Sequence, residues 1–333
     1  MSSDSVAHIF IPGLDSPLGE WQRSYGWLPQ ASGLKTLLND ASRLPRTESA
    51  YHKVAALLGV QGALAGFRER GAGRAVSGAV CADPVHLRAD VDSALLVEGE
   101  HLGLDENQAR DLLASVQDWF GRDGWRFTMS GALHWYAFPP QGLEPPPWPE
   151  PAEIAGSDVG PYIRGREQSA EWRRFYTELQ MLLARAPVNL GRMSQDEPAV
   201  NALWFWGGRR VGNSASSPVS LVFASDPILI GMADAAGIEV KTIQRDEVLR
   251  GGGIAWLNDL RPAAAYDDIE AWQTALSHLD EVWFAPLAKA LRARHLKRVH
   301  VYGDAWQWEC RRRAPWRLLR QSAPLSRALG VSS

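Results

Sequence analysis

Between residues 219 and 302 the chain alternates short β-rich runs with helical stretches, and this alternation constrains the fold more than any other feature. Val219 to Ala224, Ile238 to Ile243 and Val299 to Tyr302 read as strands, while Pro227 to Ala236 and Ile269 to Ala293 carry helical patterns. Strands interleaved with helices in this way predict a sheet covered on both faces. The expected class is α/β with a mixed, mostly parallel sheet. At 333 residues, 45% of them hydrophobic, the chain suits one large unit or a core with an inserted domain.

Earlier in the chain, Ala7 to Ile11 reads as a first strand broken by Pro12-Gly13, followed by helices at Leu34 to Ala41 and Ala50 to Leu58. Gly62 to Gly78 is rich in Gly, Ala and Arg and reads as a surface connection. Strands at Val80 to Leu87 and Ala94 to Val97, a helix capped by Asp105 and running to Phe120, then strands at Trp125 to Thr128 and Leu133 to Phe138 make a compact α+β block. Residues 139 to 151 are proline-rich, which predicts an extended linker. Helix returns from Ser169 to Leu183, where Trp172, Phe175, Tyr176, Leu179 and Leu183 recur at helical spacing.

A net charge of −3 gives no field for nucleic acid or an acidic membrane surface, so neither is an expected partner. The run Arg311-Arg312-Arg313 with Trp316, Arg317 and Arg320 reads as a solvated face. Two cysteines, Cys81 and Cys310, are too few for a disulfide framework, and no segment reaches the ~20 apolar residues of a membrane span. A cytoplasmic protein is expected. Gly251-Gly252-Gly253 lacks the Lys-Ser or Lys-Thr of a phosphate loop, and Gly13-Leu14-Asp15-Ser16 is only loosely like a nucleophile elbow. The fifteen tryptophans mostly fall in apolar periodic runs and read as core or interface.

The most specific text is residues 187 to 207. It couples a polar loop carrying Asn189, Arg192 and Asn201 to the apolar run Ala202 to Trp206. Arg presents parallel donors and Asn adds neutral ones, so the loop suits an oxyanion, while the plainer alternative is that these residues cap and brace a turn.

Pro187-Val188-Asn189, Arg192, Pro198-Ala199-Val200-Asn201, Trp204 and Trp206-Gly207 resemble the signature of the archaeal-type cofactor-independent phosphoglycerate mutases of the alkaline phosphatase superfamily. One departure is Ala186, where those enzymes carry His. The resemblance implies a discontinuous phosphatase-like core at 1 to 75 and 190 to 333, with an inserted α+β domain at 76 to 189. It also implies a two-metal phosphotransferase site, which this chain supplies poorly. The metal-binding Asp after the first strand falls on Pro12, with Asp15 close by. The D-x-x-x-H positions fall on Arg261 and Ala265, neither of which ligates a metal. The final Asp-His pair falls on Asp304-Ala305. The nucleophilic Ser has Ser49 as its nearest candidate, a residue that equally reads as a helix cap.

Cys81 to Asp90 is the second distinctive segment. Its Ala-Asp-Pro-Val-His-Leu run resembles a bacterial branch of these mutases, some members of which are labelled regulators of pathogenicity factors. Strand geometry puts His86 and Arg88 on one face, suited either to gripping a carboxylate or phosphate or to simple solvation at an edge.

Two expectations follow. The first is a non-catalytic binding or regulatory protein that has lost its two-metal site and holds a small anionic metabolite. Asn189, Arg192, Asn201, Arg261, His86 and Arg88 are its candidate contacts; no cofactor is expected and any protein partner is open. The second is an active metal-dependent mutase or phosphatase with Mn or Mg, in which Asp15, Ser49 and Asp304 act as substitutes.

Overall fold

The computed structural model describes residues 5–89, 93–165, 168–213, 218–312 and 324–330. Asp90, and Arg313, Trp316, Arg317 and Arg320 of the C-terminal Arg- and Trp-bearing run, lie outside the described residues. The described strands are β1 (Val6–Phe10), β2 (Ser42–Pro45), β3 (Gln61–Ala63), β4 (Val80–Ala89), β5 (Ala94–Val97), β6 (Arg126–Gly131), β7 (His134–Phe138), β8 (Ala202–Trp206), β9 (Arg210–Gly212), β10 (Leu221–Phe223), β11 (Glu239–Lys241), β12 (Gly253–Trp256), β13 (Arg298–Tyr302) and β14 (Trp306–Arg311). The chain divides into two compact units, one of residues 1–61 with 212–333 and the other of residues 62–211.

The first unit is built on a seven-stranded sheet in the order β11-β10-β12-β1-β13-β14-β2. Its first five strands are parallel, and β14 runs antiparallel to both β13 and β2. Alternation splits β1 between two layers. Ala7 and Ile9 join a buried cluster with Leu34, Leu37, Trp272, Leu276, Phe284 and Leu287, contributed by helices Ser32–Leu38, Ile269–Leu279 and Ala285–Arg292 and by the π-helical turn Asp280–Phe284. Phe10 instead stacks on Trp256, which stacks in turn on Tyr51 of helix Ala50–Leu58. Helices therefore cover both faces, and the α/β, mostly parallel architecture expected from the alternation is present.

The second unit carries an antiparallel sheet in the order β5-β4-β7-β6, with β8 pairing the Cys81 to Val85 stretch of β4. Its boundaries differ from the expected inserted domain. The mutase pattern gives β8 to the core, but the fully buried Leu203 and Phe205 of this strand lie opposite Pro84 and Ala82 of β4, which ties it to this sheet. Residues 62 to 78 also differ from the expected surface connection. They include helix Leu64–Gly71, whose Arg68 and Glu69 are buried. Asp105 closes a capping box with Gln108 at the start of helix Glu106–Phe120, and Ser169 caps helix Ala170–Ala184. Residues 187 to 193, expected as a loop, form helix Pro187–Met193 with Pro187 in its first turn, a position that suits proline.

Candidate functional site

In open α/β sheets ligands gather beyond the carboxyl ends of parallel strands, where the loops leave the sheet. Strands β1 and β13 are neighbours and end together, with Phe10 opposite Tyr302. The loops that follow carry Asp15 and Asp304. Each carboxylate is held by main-chain N–H groups of the other loop. Asp304 accepts from Gly13 N at 3.1 Å, from Ser16 N at 3.3 Å and from Asp15 N at 3.5 Å. Asp15 accepts from Asp304 N at 2.5 Å, from Trp306 N at 2.9 Å and from Ala305 N at 3.3 Å.

Local sequence makes this clasp possible. Gly13 adopts φ +83°, a conformation strained for other residues, and a Cβ there would lie 2.8 Å from the Arg261 Cα. A Cβ on Gly303 would lie 2.6 Å from Asp15 Oδ1, so glycine leaves the room the carboxylate fills. Trp272 Nε1 donates to Gly13 O at 2.7 Å, and Arg46 Nη2 donates to Asp304 O at 2.8 Å. Burial, and then the nearby Asp304 charge, push the Asp15 carboxyl up to about 7.

Beside the clasp, β1 and β13 present His8, Phe10, His300 and Tyr302 in one stacked row. His8 Nδ1 lies 2.9 Å from the Tyr302 hydroxyl, and the His8 and His300 rings are 5.0 Å apart. Burial, followed by the neighbouring His300 and Lys53, lowers His8 to about 3, so the ring is neutral. Burial also pushes the Tyr302 hydroxyl up. Ser49 caps helix Ala50–Leu58, its hydroxyl accepting from His52 N at 3.3 Å. Arg261 opens the short helix Arg261–Ala265.

In the second unit, the side chains expected to grip an oxyanion are turned to the chain itself. Asn189, wholly buried, donates to Leu183 O and Val200 O and accepts from Val200 N, each at 2.8 Å. Arg192, 1% exposed, sends Nε to Pro198 O at 3.0 Å, Nη1 to Gly103 O at 3.2 Å and Gln108 Oε1 at 2.5 Å, and Nη2 to Leu102 O. Glu197 pairs with it at 3.2 Å. Asn201 bonds both main-chain groups of Leu87, and His86 Nδ1 lies 2.8 Å from Ala199 O. Asn189, Arg192, Asn201 and His86 thus pin the segment before β8 onto its surroundings, which is a correction to the expected donor loop. The physical reason is that Asn189 and Arg192 are buried away from solvent, so their donors take acceptors within the chain, while the half-buried Asn201 and His86 meet main-chain groups of Leu87 and Ala199. Arg88 is exposed at the far end of β4.

A polar cluster that composition conceals lies in the same unit. Arg68 Nη1 reaches both Asp83 oxygens, at 2.8 and 2.7 Å, and Nη2 donates to Trp135 O at 2.6 Å. Asp83 also accepts from Trp135 N at 3.0 Å and Trp206 Nε1 at 2.7 Å. The pair therefore serves both main-chain groups of Trp135 in β7. Arg68 carries no sequence signal, because its partner stands on another element and its neighbourhood is Gly- and Arg-rich. Cys81 is fully buried, and burial pushes its thiol up, which suits a packed hydrophobe and not a nucleophile.

The donor set does not fit a two-metal centre. Among the described residues there is no group of three or more His, Cys, Asp or Glu side chains placed to hold a metal ion. The two carboxylates that do meet, Asp15 and Asp304, are already engaged by six main-chain N–H groups. A divalent ion needs several free oxygen or nitrogen donors to replace its hydration shell.

No protein-family model matches the sequence, and no curated protein matches it either. Among solved structures, the chain is similar over nearly its full length to a cofactor-independent phosphoglycerate mutase from Thermoplasma acidophilum. The TM-score is 0.42 at 15% identity, covering 98% of this chain and 94% of that one. It is also similar to the PH0037 protein of Pyrococcus horikoshii, with a TM-score of 0.44 at 13% identity, covering 92% and 87% of the two chains. Likeness at this level carries no conclusion about chemistry. No described helix is long and apolar enough to cross a membrane.

Proposed function

We propose that this phosphoglycerate-mutase-like chain is a non-catalytic binding or regulatory protein. The observation that supports this reading most strongly is the mutual engagement of Asp15 and Asp304 by the amides of each other's loops. A metal-dependent phosphotransferase needs those carboxylates turned outward to ions that neutralise phosphoryl charge. Here they serve as loop braces. Arg261 and Ala265, at the positions the mutase pattern gives to a metal-binding Asp and His, point the same way.

A small anionic metabolite remains the ligand class of this reading, with the exposed Arg88 as a candidate cation. The second reading, an active mutase or phosphatase using Mn or Mg, has one observation in its favour: Asp15 and Asp304 do meet at the carboxyl ends of β1 and β13. Assay of phosphoglycerate interconversion and phosphate-ester hydrolysis, with and without added Mn or Mg, separates the two. The first reading predicts no turnover above background in any condition. Metal-dependent turnover abolished by Asp15→Ala would establish the second.

A further inference from the structure

We propose that the loop from Gly13 to Ser16 is an oxyanion-binding loop kept closed by the chain's own Asp304. The Asp304 side chain acts as a tethered tenant in a place that fits a small free carboxylate.

The loop carries the marks of an anion cradle. Successive main-chain N–H groups that turn to one side make a concavity of partial positive charge, and a left-handed residue in the run is what turns them. Gly13 supplies the positive φ, and the N–H groups of Gly13, Asp15 and Ser16 all point at the Asp304 carboxylate. The tenant reaches in from the turn after β13, where Arg46 holds its carbonyl and the missing Cβ of Gly303 makes room for Asp15. What occupies the cradle is therefore a carboxymethyl group on a fixed stem. Cutting that stem by Asp304→Gly removes a group of the size of acetate. Phosphate, larger and more highly charged, is a poorer replacement because the Asp15 carboxylate lies alongside.

This inference rests on the reading that both carboxylates serve the fold, and its test uses chelator-treated protein so that the two fail separately. Metal-dependent turnover by the wild type would overturn that reading and leave the present measurement intact. The thermal midpoints of the wild type and Asp304→Gly are compared in sodium acetate and in sodium chloride of equal ionic strength. A ligand that binds only the folded state raises the midpoint with its concentration. The variant should melt lower, and acetate, unlike chloride, should restore at least about half of the loss, while the wild type responds equally to both salts. Equal response of the variant to both salts overturns the proposal. Should Asp304→Gly not fold, amide exchange in the wild type decides. Gly13 and Ser16 N–H groups should be protected about a hundredfold or more, and the same groups should exchange at least about tenfold faster in Asp304→Ser. Unprotected amides in the wild type, or unchanged rates in Asp304→Ser, overturn it.

Discussion

Arg68 donates through its single Nη1 to both oxygens of Asp83, at 2.8 and 2.7 Å, in the interior of the second unit. Both side chains are almost wholly removed from solvent, at 4% and 10% exposure. Removing one partner leaves a buried charge alone, at a cost of about 3–5 kcal/mol. Arg68→Ala and Asp83→Ala should therefore each lower stability by that amount in chemical denaturation. Replacing both at once should cost less than the sum, a coupling measurable by a double-mutant cycle. Additive losses would show that the pair is not a unit.

Arg192 is expected to behave as a structural residue. Its guanidinium joins the carbonyls of Leu102, Gly103 and Pro198, so Arg192→Ala should destabilise the protein by several kcal/mol, on the order of 3. Arg192→Lys should fail to restore it, because a point charge lacks the planar fork. Denaturant midpoints of the three proteins check this. A stable Arg192→Ala that had lost affinity for phosphoglycerates would instead favour the anion-gripping role.

Gly13 sits where backbone conformation and packing both demand glycine, at φ +83° and against the Arg261 main chain. Gly13→Ala should cost about 2 kcal/mol or more. It should also loosen the amides that hold Asp304. Gly26, also at positive φ but with nothing within 4 Å of where a Cβ would stand, serves as the control: Gly26→Ala carries the conformational cost without the collision. Melting both variants against the wild type separates the two contributions.

Two buried groups pull stability in opposite directions with pH. His8, lowered from 6.5 to about 3, takes its proton far more readily in the unfolded chain, so acidification through that window costs stability. Asp15, raised from 3.8 to about 7, keeps its proton more tightly in the fold, so its contribution is full below about 4 and lost as pH rises through 7. Each slope is at most about 1.4 kcal/mol per pH unit, and across roughly pH 4 to 6.5 the two oppose one another. Relative to the wild type, His8→Phe should grow less stable as pH rises across this range, and Asp15→Asn more stable. Parallel pH profiles for all three proteins would refute the assignment.

How much of this is legible in sequence follows from what kind of contact each element makes. The strand at Val6–Phe10, the helix at Pro227–Ala236 and the Asp105 cap announce themselves through local pattern and spacing, and all are present. The edge strand Ser42–Pro45 is exposed at every residue, so it carries no apolar alternation to read. Helix Pro187–Met193 is hidden by Gly191 and Asn189, both of which suggest a turn. Asp304 stands out through a family pattern and Asp15 only as a carboxylate near one of its positions, but what they do depends on main-chain amides, which no residue type reveals. The two loops meet because β1 and β13 lie side by side, although Ser16 and Asp304 are 288 positions apart in the chain.

The claim that these carboxylates are committed to the fold is tested most directly by titrating Mn into the chelator-stripped wild type and into Asp15→Ala, with the free ion read by electron paramagnetic resonance. The account predicts weak binding that is the same in both proteins. Tight, stoichiometric uptake by the wild type, lost in Asp15→Ala, would contradict it.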